Sequence, residues 1–132
     1  MFALNVVKLR ARRDNNESNK RLHFFASYFS IYFSWVFINC RLSPNSVTGI
    51  FFVIGLFSAG LFSFTDPIFI IIAYCLWRLH IIIDICDGEV ARFTKKFSIN
   101  GAYWDYMIHS ILYPLVYVSI CFSLQKKFDD VI

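Results

Sequence analysis

SVTGIFFVIGLFSAGLFSF, residues 46–64, carries no charged side chain. As a helix rising about 1.5 Å per residue it measures about 30 Å, the thickness of a bilayer's hydrocarbon core. Arg41-Leu42-Ser43-Pro44-Asn45 precedes it, and Pro44 suits the first turn of a new helix. Thr65-Asp66-Pro67 follows as a short turn. Beyond the turn, residues 68–86 form a second span, unusual in carrying Arg78, His80 and Asp84. A loop with Arg92, Lys95 and Lys96 leads to a third span over 101–124, in which Pro114 predicts a kink. Residues 125–132 read as a polar tail.

Composition supports the same solvent. Hydrophobic residues make up 58% and charged residues 17%, against about 45–50% and about 25% in soluble domains. Mean hydropathy is +0.55. Too little polar surface exists to cover a water-soluble globule. Cys40, Cys75, Cys86 and Cys121 lie far apart, without a CxxC pair, and read as small apolar residues rather than metal ligands.

The basic residues are unevenly placed. Lys8, Arg10, Arg12, Arg13, Lys20 and Arg21 all precede the first apolar run. Beside membrane segments such a flank is a topology signal rather than a nucleic-acid arm, so residues 1–22 are expected to be cytoplasmic. They make a poor signal peptide, because the basic cluster follows the short apolar start and no small-residue cleavage site comes after it. Residues 23–40 either cross the membrane or lie in its interface as an amphipathic helix with a narrow stripe at Ser27, Ser30 and Ser34. Only the interfacial placement puts the N-terminal cluster and the Arg92–Lys96 loop on one side, and the positive-inside bias favours it. The expected fold is therefore all-α and integral to the membrane, with one interfacial helix and three transmembrane helices in a membrane domain over 23–124.

Asp84, Asp87, Glu89 and Asp105 lie on or beside membrane helices, where a charge costs at least about 2.5–3.5 kcal/mol without a partner. Asp84 and Asp87, three residues apart, share a helix face with His80 a turn deeper. Gly101, Asp105 and His109 follow at four-residue steps. Two antiparallel helices would point Asp84, Asp87, Asp105 and His109 at one another near the cytoplasmic surface. Oxygen ligands of this kind suit Mg²⁺ or Mn²⁺, and two such ions can bridge a diphosphate. Gly88 and Ala91 leave a low wall for a nucleotide, and Arg92 offers a planar guanidinium to phosphate oxygens. Separately, each residue also has a plain reading: interfacial acids, a hydrogen-bonded histidine, a positive-inside loop. The conjunction singles them out.

Asp84-Ile-Cys-Asp87-Gly88-Glu-Val-Ala91-Arg92, eight residues, then Gly101-Ala-Tyr-Trp-Asp105-Tyr-Met-Ile-His109 closely resembles a family signature. The pattern, D-x2-D-G-x2-A-R-x8-G-x3-D-x3-D, is that of the CDP-alcohol phosphatidyltransferases. Every spacing agrees, and His109 alone departs, standing where the family has its fourth aspartate. Ser43-Pro44-Asn45-Ser46-Val47-Thr48 also looks like the family's entry to its first membrane helix. The resemblance covers roughly residues 23–124. It implies transfer of a phosphoalcohol group from a CDP-linked donor, such as CDP-diacylglycerol, to an alcohol acceptor, with release of CMP. It further implies two divalent ions held by Asp84, Asp87 and Asp105, with His109 as fourth ligand or as base for the acceptor hydroxyl. Gly88, Ala91 and Arg92 would contact the CDP group, with Asn45 and Thr48 near the nucleotide.

Two departures shape the alternatives. Histidine can act as a base or as a nitrogen ligand, but hard Mg²⁺ prefers oxygen, which weakens the second ion site. Family members resemble six-helix proteins, and the sequence shows three spans, so the chain resembles an N-terminal half. A truncated, non-catalytic remnant is the alternative to an enzyme, and a homodimer would cover the polar face that three helices leave open. An unrelated ion-handling protein has no use for Gly88, Ala91 or the Arg92 spacing. The acceptor alcohol is not readable, although Arg78, nine residues or about 13 Å before Asp87 on a helix, is a candidate for an acceptor phosphate or a lipid headgroup.

Overall fold

Serine and aspartate caps, each followed by proline, start the two central helices. Ser43 Oγ accepts from the Ser46 N–H at 3.2 Å and Asp66 Oδ1 from the Ile68 N–H at 2.9 Å, while Pro44 and Pro67 fill first-turn positions where no N–H is needed. In a computed structural model of the chain, which describes residues 24–95 and 99–129, four helices result. They are α1 (Phe24–Asn39), α2 (Pro44–Leu61), α3 (Pro67–Thr94) and α4 (Ile99–Asp129). The basic segment 1–22, Lys96 and residues 130–132 lie outside the described residues. Among those described there is no strand.

Helices α2, α3 and α4, of 18, 28 and 31 residues, are long and apolar enough to cross a membrane, whereas α1 has 16. The protein is an all-α integral membrane protein. Its outer faces suit lipid: Phe57, Ile71 and Tyr117 are 67%, 64% and 68% exposed, which water would penalise and acyl chains do not. Helix α2 packs against both α3 and α4, and α1 packs on α3. Val47 and Phe51 of α2, Ile83 of α3, and Ile108 and Leu112 of α4 form the core.

Two boundaries differ from the hydropathy reading. Helix α3 continues past residue 86 to Thr94 and ends at Lys95, whose φ of 54° is left-handed. Val90 on that extension is fully buried and Glu89 is 2% exposed, so packing holds a helix that composition does not announce. Arg92 therefore stands on a helix rather than in a loop. Helix α4 runs through Pro114 and includes residues 125–129 of the expected tail.

Ser30 and Ser34 of the α1 stripe face inward, and the side chain of Ser27 lies outside the described residues. Ser30 and Ser34 are fully buried, while Phe29 and Tyr32 are exposed. Ser30 Oγ donates to Glu89 Oε1 at 3.0 Å and Ser34 Oγ to Glu89 Oε2 at 2.7 Å. A buried acid needs donors, and this requirement turns the polar side of α1 toward α3.

Candidate functional site

The N-terminal end of α2, the C-terminal part of α3 and the N-terminal turns of α4 meet around a cleft of about 240 Å³. From α3 it is lined by Asp84, Asp87, Gly88, Ala91 and Arg92, from α2 by Asn45 and Thr48, and from α4 by Gly101 and Asp105. Helical steps of three and four residues put the α3 group on one face. Residues that are far apart in sequence thus share one concave wall.

Asp84, Asp105 and His109 offer ligand atoms that all lie within 4.8 Å of one another. His109 Nε2 is 3.4 Å from Asp84 Oδ1 and 3.3 Å from Asp105 Oδ1. Its ring stacks with Phe51 (centroids 5.9 Å, planes 18° apart) and with Tyr113 (5.5 Å, 24°). Stacking fixes its aim, since Nδ1 is buried without a hydrogen-bond partner among the described residues. His109 points at the carboxylates and does not line the cleft wall itself.

Asp87 is placed differently. Thr48 Oγ1 donates to its Oδ2 at 2.6 Å and also approaches the Pro44 carbonyl at 3.0 Å. A hydroxyl has one proton, and the shorter, charge-assisted contact to the carboxylate is the stronger of the two. Thr48, read from the sequence as a nucleotide neighbour, also positions a carboxylate. The remaining oxygen, Asp87 Oδ1, and Asp105 Oδ1 are both buried without a hydrogen-bond partner among the described residues. Orphaned carboxylate oxygens at the rim of one cleft, with an imidazole nitrogen beside them, form a donor set that fits a divalent cation.

Gly88 has a spatial reason. A Cβ there would stand 3.3 Å from Arg92 Nη1 and 3.7 Å from Nη2. The guanidinium of Arg92 therefore lies back over the glycine one turn earlier, at the edge of the cleft.

Three further residues complete the surroundings. His80 is fully buried, and its Nδ1 is 2.9 Å from the Phe51 carbonyl. Its ring meets Trp77 at 4.9 Å and His109 at 5.9 Å, so it packs beneath the carboxylates instead of opening into the cleft. Arg78 is exposed on α3 and is not among the residues that line the cleft. Glu89, which the spacing left without a role, is the buried acid that ties α1 to α3. Its position one residue after Gly88 hid it, because its two serine donors lie 59 and 55 residues away.

The helical membrane bundle thus gathers carboxylates, a small-residue wall and an arginine around one cleft. By comparison with known proteins, the chain belongs to the CDP-alcohol phosphatidyltransferase family, whose sequence model matches residues 41–129. The bifunctional IPC transferase and DIPP synthase of Archaeoglobus fulgidus is 38% identical over 87 residues. That alignment covers 66% of this chain and 17% of the relative. The chain thus spans about a sixth of the length of the curated relative that it matches.

Proposed function

We propose that the chain carries out, or supplies the active-site portion for, transfer of a phosphoalcohol group from a CDP-linked donor to an alcohol acceptor with release of CMP. The observation that carries this reading is the single cleft that gathers Asp84, Asp87, Gly88, Ala91, Arg92 and Asp105 with Asn45 and Thr48. The kinship to a bifunctional transferase and synthase supports it. The acceptor class is left open by the residues on the cleft wall.

The transfer balances as one displacement at phosphorus. The acceptor oxygen forms a bond to the phosphorus that bears the donor's alcohol group, and the bond from that phosphorus to the CMP oxygen breaks. CMP leaves with the bonding pair, and the acceptor's proton passes to a carboxylate oxygen of the Asp84–Asp105–His109 cluster. Asp84, Asp87 and Asp105, with His109 as fourth member, would hold Mg²⁺ or Mn²⁺, which when bound neutralises diphosphate charge and acts as a Lewis acid. Thr48 keeps Asp87 in one orientation. Arg92 offers paired N–H donors to phosphate, and Gly88 and Ala91 keep the wall low enough for the CDP group. The cleft would open to the cytoplasm, the side to which the basic segments point by the positive-inside rule.

The test is CMP release by purified protein in detergent or nanodiscs. It uses CDP-diacylglycerol, Mn²⁺ or Mg²⁺ and a mixed pool of alcohols, with Asp105→Ala as the control. Metal-dependent release that Asp105→Ala abolishes is the expected result. Absence of release, with a full-length relative active in parallel, would reject catalysis by this chain alone and leave a membrane remnant of the family.

A further inference from the structure

We infer that the Asp84–Asp105–His109 centre prefers a first-row transition ion, of the Mn²⁺-to-Zn²⁺ series, over Mg²⁺, and that His109 Nε2 sets this choice. The inference rests on the proposed reading of the cleft as a metal-assisted transfer site.

Three observations carry it. First, the hydrogen bond between His109 Nε2 and Asp84 Oδ1 is long, and the spacing fits a shared ion as well. Charge-assisted N–H···O bonds run about 2.7–2.9 Å, whereas His109 Nε2 stands 3.4 Å from Asp84 Oδ1 and 3.3 Å from Asp105 Oδ1. Two ligands each about 2.1 Å from one ion, at a near-tetrahedral angle, lie about 3.4 Å apart. Second, Asp105 Oδ1 has no hydrogen bond among the described residues, its 3.3 Å contact with the imidazole nitrogen being an ion-pair contact only. Third, the ring is held in its aim by Phe51 and Tyr113, and this packing directs Nε2 at the carboxylates.

The donor chemistry then decides the ion. Mg²⁺ demands oxygen ligands in near-ideal octahedral geometry. Imidazole nitrogen suits transition ions, and affinity for mixed N and O sites rises from Mn²⁺ toward the end of the series. An Nε2 engaged with an ion has no lone pair for a proton, so in this arrangement His109 is a ligand and not the base.

The experiment uses the full chain in detergent, loaded with Mn²⁺ and studied by pulsed electron paramagnetic resonance, with Mg²⁺ as competitor. The wild type should show modulation from a coordinated imidazole nitrogen, and His109→Asp should lose it. The amount of Mg²⁺ needed to displace Mn²⁺ should fall at least about tenfold in His109→Asp, the range in which a change of ligand environment acts. Mn²⁺ bound by the wild type without nitrogen modulation would overturn the inference while leaving the carboxylate site standing. No Mn²⁺ bound at all would overturn it together with the metal-assisted reading. Because the nitrogen signal is read on the wild type, a failure of the variant to fold does not shelter the idea.

Discussion

Replacing Thr48 by valine keeps shape and volume and deletes one hydroxyl. That hydroxyl donates to Asp87 Oδ2 at 2.6 Å, a short bond to a carboxylate, of the kind worth about 1.5–3 kcal/mol. Asp87 Oδ1 has no hydrogen-bond partner among the described residues, so no second hydrogen bond restrains the carboxylate. Losing the restraint lets Asp87 sample rotamers that turn it from the cleft. At about 1.4 kcal/mol per factor of ten, Thr48→Val should weaken divalent-ion binding by about tenfold to a hundredfold, the range found for residues that orient ligands. Thr48→Ser, which retains the hydroxyl, should stay within a few-fold of wild type. Free Mn²⁺ measured by its resonance signal during titration of the protein in detergent gives both affinities, and circular dichroism confirms that each variant is folded. A folded Thr48→Val that binds Mn²⁺ as tightly as wild type would refute the claim that Thr48 aims Asp87.

A Cβ at Gly55 would meet Leu112 Cδ1 at 2.5 Å and His80 Nδ1 at 3.1 Å, whereas one at Gly49 meets nothing within 4 Å. Gly55→Ala should therefore destabilise the bundle by about 1–3 kcal/mol, and Gly49→Ala should be neutral or gain up to about 1 kcal/mol, measured by unfolding in mixed detergent. Glu89→Leu strands the buried Ser30 and Ser34 hydroxyls and should cost about 1–3 kcal/mol, much of which returns when both serines are also made alanine. The same unfolding assay reads this, and equal stability of all three forms would contradict the clamp. Gly88→Val should leave the fold intact but push against the Arg92 guanidinium 3.3 Å from the new Cβ. Metal-dependent CMP binding, followed by calorimetry, should weaken at least about tenfold, as loss of one charge-assisted contact predicts.

Much of the site was legible because its information is local. Apolar length marks a span, and three- and four-residue steps mark a face, so the sequence alone places Asp84, Asp87, Gly88 and Arg92 together. Asp105 and His109 followed from the same periodicity on the next span. Tertiary partners were not legible. Hydropathy ends α3 near residue 86, yet the helix continues to Thr94 because Val90 and Glu89 are buried. The α1 serine stripe could have faced water, lipid headgroups or protein, and only a buried glutamate more than fifty residues away decides among them. Thr48 gave a family position but not its contact, since the partner lies 39 residues on. Arg78 shows the converse: its type suggested phosphate, yet it is not among the residues that line the cleft.

The charge pattern of the cleft explains why an ion belongs to its working state. Asp84, Asp87 and Asp105 stand on its wall, opposed there by Arg92. A CDP-linked donor adds a diphosphate, so the loaded cleft would bring phosphate oxygens against carboxylates in surroundings poorer in water than bulk solvent. Like charges a few ångströms apart repel by about 4 kcal/mol at an effective dielectric of about 20, more than one guanidinium could offset for three carboxylates. The first turns of α2 and α4 face the same cleft and lend partial positive charge to an anion, but each helix end supplies only about half an elementary charge. A divalent cation between carboxylates and diphosphate reverses the sign of the interaction and makes the same acids attractive to the donor. On this reasoning donor and ion bind cooperatively. CMP or CDP affinity should rise with Mn²⁺ concentration, Mn²⁺ affinity should rise by the same factor with nucleotide, and Asp87→Asn should abolish the coupling. Independent binding of nucleotide and ion would show that the acids serve the bundle and not the substrate.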